Sequence, residues 1–245
     1  MFMNLRCSAV LLVALLIGIS SCKKPKEGNF TLKVAANYNG QAFTIGQSNN
    51  DPQNRRIQTD VLKFYLSHIT LIKTDNSEVE VKDVALIDFS NPSSLSINAD
   101  KISGNFKAIR FGIGVDSVQN ESDPNNVPAT SPLADNDMYW SWLKYIFVKY
   151  EARCDTSGTG SGVYNWFPLY HLGGNSLYRT TTLYKDFSVC CDDKLTLNLN
   201  LDVQKIFYSD TGTLDLITES TSQTSDHYDD AVEFMDNIAK AFSLN

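Results

Sequence analysis

The side chains here that could hold a soft metal ion are few: three histidines, four methionines and five cysteines. A soft ion accepts imidazole, thioether or thiolate donors. His171 precedes Leu172-Gly173-Gly174, which places it at a strand end beside a flexible turn, where a ligand can reach a pocket. His227 opens a stretch of helical spacing, so its imidazole could reach in from a rim. His68 shares strand parity with Leu62, Phe64 and Leu66, the pattern of a buried structural histidine. Met138 shares an apolar face with Trp140 and Trp142; it is either a weak third ligand or core packing. For the thiols, the expected disulfide joins Cys154 to Cys190 or Cys191 and leaves one cysteine over. A strained bond between adjacent Cys190 and Cys191, or a soft-metal site built from all of these thiols, are the alternatives.

Two of the three tryptophans lie in the segment Ser131 to Cys154, the most aromatic of the chain. From Met138 onward it reads as one long strand, because aromatic and β-branched residues dominate without Gly or Pro. Alternation puts Met138, Trp140, Trp142, Ile146 and Val148 on one face, and Tyr139, Leu143, Tyr145 and Phe147 on the other. With both faces apolar, the strand belongs in the middle of a sheet. Residues 116–136, holding three prolines, form a long loop before it. Such a loop in a compact domain is functional or disordered.

The rest of the chain alternates in the same manner. Phe30 to Asn37 runs into Asn39-Gly40, a type I′ hairpin signal, and returns through Gln41 to Ile45. Further strands are expected over 61–73, 78–89, 106–115, 177–189 and 195–203, with a short one near 213–218. Residues 48–54 and 90–99 read as loops. Gly112 and Gly114 face away from Ile109, Phe111 and Ile113 and suggest a bulge or a close approach by another segment. Val232, Met235, Ile238, Ala239 and Phe242 switch to helical spacing, giving one helix over about 227–242 capped by Ser225 or Asp226. The fold class is therefore all-β: an antiparallel β-sandwich of about nine or ten strands with one C-terminal helix.

The formal net charge of −7 excludes the clustered basic surface that nucleic acid requires. No nucleophile elbow, zinc-protease helix or phosphate-cradling glycine loop is present, and no enzymatic activity is expected. The carboxylate pairs Asp192-Asp193 and Asp229-Asp230 suit a solvated turn and a helix N-terminus. Arg6 followed by the apolar run Val10 to Ile19 is an export signal too short for a stable span. Ile19-Ser20-Ser21-Cys22 resembles a bacterial lipobox, which implies cleavage before Cys22 and lipidation of its thiol. The organisation expected is a signal peptide over 1–21, a lipidated cysteine and tether over 22–29, and one domain over 30–245. Lys23 at the following position points to the outer membrane, so the protein is placed in the cell envelope, anchored to the membrane by lipid.

Met138-Tyr-Trp-Ser-Trp142, with Tyr145, Phe147, Lys149 and Glu151 after it, resembles the central motif of the MbnP-like family of periplasmic copper-binding proteins. Phe64-Tyr-Leu-Ser67, Phe106 through Val115 with Asn120, Ser131-Pro-Leu133 and Tyr170-His-Leu-Gly173 resemble further family stretches in the same order, as do Asp236-Asn237 and Phe242. The chain departs from the pattern at Lys144 and Ala152, where the family tends to have Gly. The resemblance implies copper held by histidine beside a tryptophan that is oxidised to kynurenine by an MbnH-like di-haem partner. Carried onto this sequence, His171 matches the histidine motif, and Trp140 and Trp142 match the paired tryptophans. The competing expectation is a metal-free cell-envelope module that uses the 116–136 loop and the aromatic face for a glycan or protein partner.

Overall fold

A computed structural model describes residues 26–245 apart from 211, so the signal segment and Cys22 lie outside the described residues. β1 (Gly28–Tyr38) buries Phe30, Leu32 and Val34 on one face, as the alternation requires. Asn39 and Gly40 both take positive φ, 49° and 78°, and turn the chain into the short β2 (Gln41–Ala42). β3 (Ser48–Asn50), expected as loop, pairs instead with the start of β4 (Arg56–Lys73). β5 (Glu78–Asp88) returns along β4. Residues 90–99 also differ from the loop expected: a 3-10 turn at Pro92–Leu95 leads into β6 (Ser96–Ile102), whose Ile97 and Ile102 alone are buried. β7 (Gly104–Ile113) follows directly.

The 116–136 stretch is ordered, opening with the one-turn α1 (Ser117–Asn120) under an Asp116–Gln119 capping box. Two residues seat it. Asn120 accepts from Tyr145 N at 3.2 Å and donates to Asn175 at 2.8 Å, while Tyr145 Oη donates to the Leu133 carbonyl at 3.1 Å.

The aromatic segment is two strands rather than one: β8 (Tyr139–Trp140) folds back through residues 141–143 onto β9 (Lys144–Cys154). Lys144 carries the positive φ of 66° that closes the turn, although the sequence there has neither Gly nor Asn. β10 (Leu169–Gly173) pairs with β9, β11 (Arg179–Val189) with β7, and β12 (Lys194–Asp202) with β1. After the one-turn α2 (Gln204–Phe207) come the small hairpin β13 (Tyr208–Ser209) and β14 (Gly212–Thr213), then β15 (Thr221–Ser222). α3 (Tyr228–Lys240) is the C-terminal helix. Its N-cap position is His227 at φ 54° without a side-chain cap, rather than Ser225 or Asp226. β16 (Phe242–Leu244) ends the chain.

The strands form a sandwich of a five-stranded and a nine-stranded sheet. Pairing is mixed, not purely antiparallel: β1 runs parallel to β12, and β10 parallel to β15. These partners are far apart in sequence, so no tight hairpin dictates their direction. β4 is the spine of the larger sheet. Phe64 pairs with Ile87 and Val148, whereas Leu66 pairs with Ala85 and Ile113, so β9 and β7 share one edge of β4 and meet near Tyr65. Gly114 is required there, because a Cβ would overlap the Phe147 ring. Between the sheets, Phe242 packs edge-on against Phe64 at 5.8 Å and Phe111 at 5.2 Å, and Phe30 stacks on Phe187 at 6.1 Å. α3 closes a second cluster by setting Phe234 against Tyr170 at 4.9 Å.

Candidate functional site

His171 sits in the middle of β10, with Tyr170 and Leu172 buried to either side of it. It is itself 5% exposed. Its direct neighbour across the ladder is Lys149, and Glu151 is the diagonal neighbour on the same face. The diagonal pair is made: His171 Nε2 lies 2.8 Å from Glu151 Oε1. The other ring nitrogen, Nδ1, is buried and has no hydrogen-bond partner. Burial pushes the His171 pKa below the ordinary imidazole range, against the pull of the Glu151 carboxylate.

The β8–β9 hairpin brings both tryptophans to this histidine. The Trp140 ring meets the imidazole edge-on at 4.9 Å, and Trp142 stacks on Trp140 at 5.3 Å. Trp140 is half-buried, while Trp142 is 58% exposed. Tyr139, Trp140, Ser141, Trp142 and Gln223 line an open groove of about 380 Å³. The far wall belongs to the segment after β15, which Thr224 ties to β10 by donating to Gly173 O and accepting from Gly173 N.

A row of charges leads across the sheet to the same point. Asp88, Lys63, Lys149 and His171 are successive cross-strand neighbours on β5, β4, β9 and β10. Two lysines face each other in that row, an unfavourable pairing. Asp137, from the turn that opens the tryptophan hairpin, relieves it: its oxygens lie 2.6 Å from Lys149 Nζ and 3.1 Å from Lys63 Nζ. Lys149 foremost holds the Asp137 pKa below the usual carboxylate value. Lys149 is also 3.7 Å from Glu151 Oε1, so the row ends on the carboxylate that holds His171.

His227 is exposed, with Nδ1 3.6 Å from Asp230 Oδ2. Met138 is fully buried and packs in the core. His68 is not the buried residue that its parity suggested. A bulge in β4 gives it φ 47° and turns it outward, where Nε2 lies 2.7 Å from Asp116 and Nδ1 3.6 Å from Asp83. Among the described residues no group of three or more His, Cys, Asp or Glu is placed to hold a metal.

The cysteine pairing is corrected as well: Cys154, Cys190 and Cys191 are free. Cys154 pairs with Ile57 at the start of β4, whereas Cys190 follows Val189, which pairs with Gly104 beyond the end of β4. Roughly 50 Å of strand path separates these levels, far more than a disulfide spans. The same topology excludes a site that combines all of the thiols.

Glu151, Lys149 and Asp137 were not legible as site residues beyond the motif that contains two of them. Alternation puts Lys149 and Glu151 on one face, but only the β9–β10 register aims that face at His171.

A family model described as MbnP matches residues 27–227. No curated protein matches the chain. Among solved structures the chain is similar to MbnP from Methylosinus trichosporium, with a TM-score of 0.50 and 16% identity over 74% of this chain and 78% of that one. At that identity the likeness shows the fold.

Proposed function

The chain belongs to the MbnP family, and from that premise we propose that it is a lipid-anchored, extracytoplasmic copper-binding protein whose metal is held by His171 beside Trp140. Family membership supports a methanobactin-associated extracytoplasmic protein. The observation that carries the finer reading is His171 Nδ1, a buried nitrogen without a partner. A buried polar atom left unsatisfied costs about 1–3 kcal/mol, and a soft metal ion removes that cost. The residues fit copper in this respect. His171 supplies the first donor, and His227, at the end of the segment that Thr224 ties to β10, is proposed as the second. Copper, when bound, supplies a one-electron redox centre against the indole.

Trp140 is proposed as the residue converted to kynurenine, because its ring touches the imidazole. Trp142, stacked on it and open to solvent, offers an MbnH-like di-haem partner a contact from outside. The protein itself carries no catalytic turnover in this proposal, and its place is the cell envelope, held through Cys22.

The direct test is copper analysis of the purified protein beside His171→Ala. Near-stoichiometric copper that disappears in the variant supports the site. Peptide mass spectrometry after co-expression with a di-haem partner then reads whether Trp140 or Trp142 is modified. One observation favours the second reading, a metal-free binding module: Trp142 stands exposed over the 380 Å³ groove, as a platform for a flat ligand would. Wild-type protein that takes up no copper, with or without the partner, selects that reading.

A further inference from the structure

We propose that Glu151 is the positioning residue of the His171 site: it holds the imidazole as the Nε2–H tautomer, so that Nδ1 is the nitrogen offered to the metal. As far as it concerns a metal, this rests on the copper reading above; as far as it concerns the tautomer, it does not.

An ionised carboxylate only accepts. Glu151 Oε1 also stands 3.7 Å from the Lys149 ammonium, so the same oxygen faces a donor there as an acceptor. The 2.8 Å contact at Nε2 therefore requires the proton on that nitrogen. The lone pair is then on Nδ1, which is the atom enclosed without a partner. The reverse tautomer would set a bare Nε2 against a carboxylate and bury an unsatisfied N–H at Nδ1, and so loses on both sides of the ring. A carboxylate behind a metal-bound imidazole plays this part in other metal sites, fixing ring orientation and raising donor strength.

Glu151 is in turn held by the charge row. Lys149 bridges it to Asp137, and Asp137 also binds Lys63, which contacts Asp88 at 3.4 Å. Asp137 belongs to the turn immediately before Tyr139 and Trp140. One ammonium thus connects the group that orients the imidazole to the turn that delivers the indole, so the row sets the histidine and the tryptophan relative to each other.

The test begins with the metal-free protein. Long-range ¹H–¹⁵N correlation of the His171 ring distinguishes the tautomers: a protonated nitrogen at Nε2 is expected in wild type. In Glu151→Gln, whose amide can donate as well as accept, a mixture of tautomers is expected, with the backbone spectrum otherwise preserved. Copper affinity should fall about 10–100-fold in the same variant. Asp137→Asn should leave the tautomer unchanged and shift the Trp140 fluorescence. A proton on Nδ1 in wild type overturns the proposal whether or not copper binds. An unchanged tautomer together with unchanged affinity in Glu151→Gln also overturns it. The expected tautomer in a protein that never takes up copper upholds the positioning role and overturns the metal reading instead.

Discussion

Gly173 closes β10 two residues after His171, at a break in register with β9. A Cβ placed there would overlap the Tyr145 carbonyl oxygen and lie 3.2 Å from Leu143 Cγ. The φ of Gly173 is ordinary, so Gly173→Ala is a packing perturbation, not a conformational one. Its obstruction is backbone, in a strand fixed by Asn120 through the Tyr145 amide, and cannot turn aside. Overpacking of this kind costs about 1–3 kcal/mol, and an immovable neighbour places the cost at the upper end. Gly112 is the matched contrast. There the Cβ would overlap the Tyr178 hydroxyl and lie 2.6 Å from Ser67 Oγ, both side-chain atoms. Gly112→Ala should cost about as much alone, counting the lost Ser67–Tyr178 hydrogen bond. In a Tyr178→Ala background most of that cost should vanish, whereas Leu143→Ala should give Gly173→Ala little relief. Urea denaturation followed by far-UV circular dichroism measures each cycle. Gly173→Ala should also change tryptophan fluorescence, because the β9–β10 gap it widens carries the Trp140–His171 contact. A Gly173→Ala protein within about 0.5 kcal/mol of wild type, with unchanged fluorescence, would mean that the Tyr145 backbone yields to the added methyl and does not obstruct it.

Breaking the buried Arg55–Asp51 pair, 2.6 Å apart with side chains 7% and 0% exposed, should cost about 3–5 kcal/mol on Asp51→Ala, read by the same denaturation. Asp137 has its pKa lowered first by Lys149; Asp116 and Asp215 have theirs lowered by hydrogen bonds from Gln119 with His68, and from Arg55, that outweigh their burial. Lowered carboxylates contribute stability that is complete above their ordinary value of 3.8 and is lost as pH falls through the depressed folded values. The denaturation midpoint should therefore hold steady at mildly acidic pH and drop steeply below that value. Thiol alkylation should mark the exposed Cys191 quickly and spare the buried Cys154, whose pKa burial pushes up to about 11. Protection of Cys191 that reductant removes would contradict the free-thiol assignment.

What the sequence made legible follows the range of the forces concerned. Strand alternation and the Asn39-Gly40 turn are local, and β1, β12 and α3 fall close to where periodicity put them. The break in the aromatic segment was not legible, because Lys144 takes its left-handed φ for tertiary reasons: the hairpin packs Tyr139 on Tyr145 at 5.1 Å and Trp140 on His171. β3 and β16, three residues each, carry too few alternations to register, and in β6 the buried Ile97 and Ile102 fall out of alternation. At the site, the histidine and both tryptophans could be singled out by type and by family resemblance, and the structure brings these three together. Met138 is drawn into the core instead, and His227 is exposed beside Asp230. Glu151 and Asp137 needed the register of four strands before their part could be seen.

The assignment of copper to His171 beside Trp140 is tested most directly at the metal itself. X-ray absorption at the copper edge of the loaded protein reads the ligands directly. Scattering from at least one imidazole is expected, lost in His171→Ala and kept in His68→Ala. Copper whose spectrum lacks imidazole, or is unchanged in His171→Ala, would contradict it.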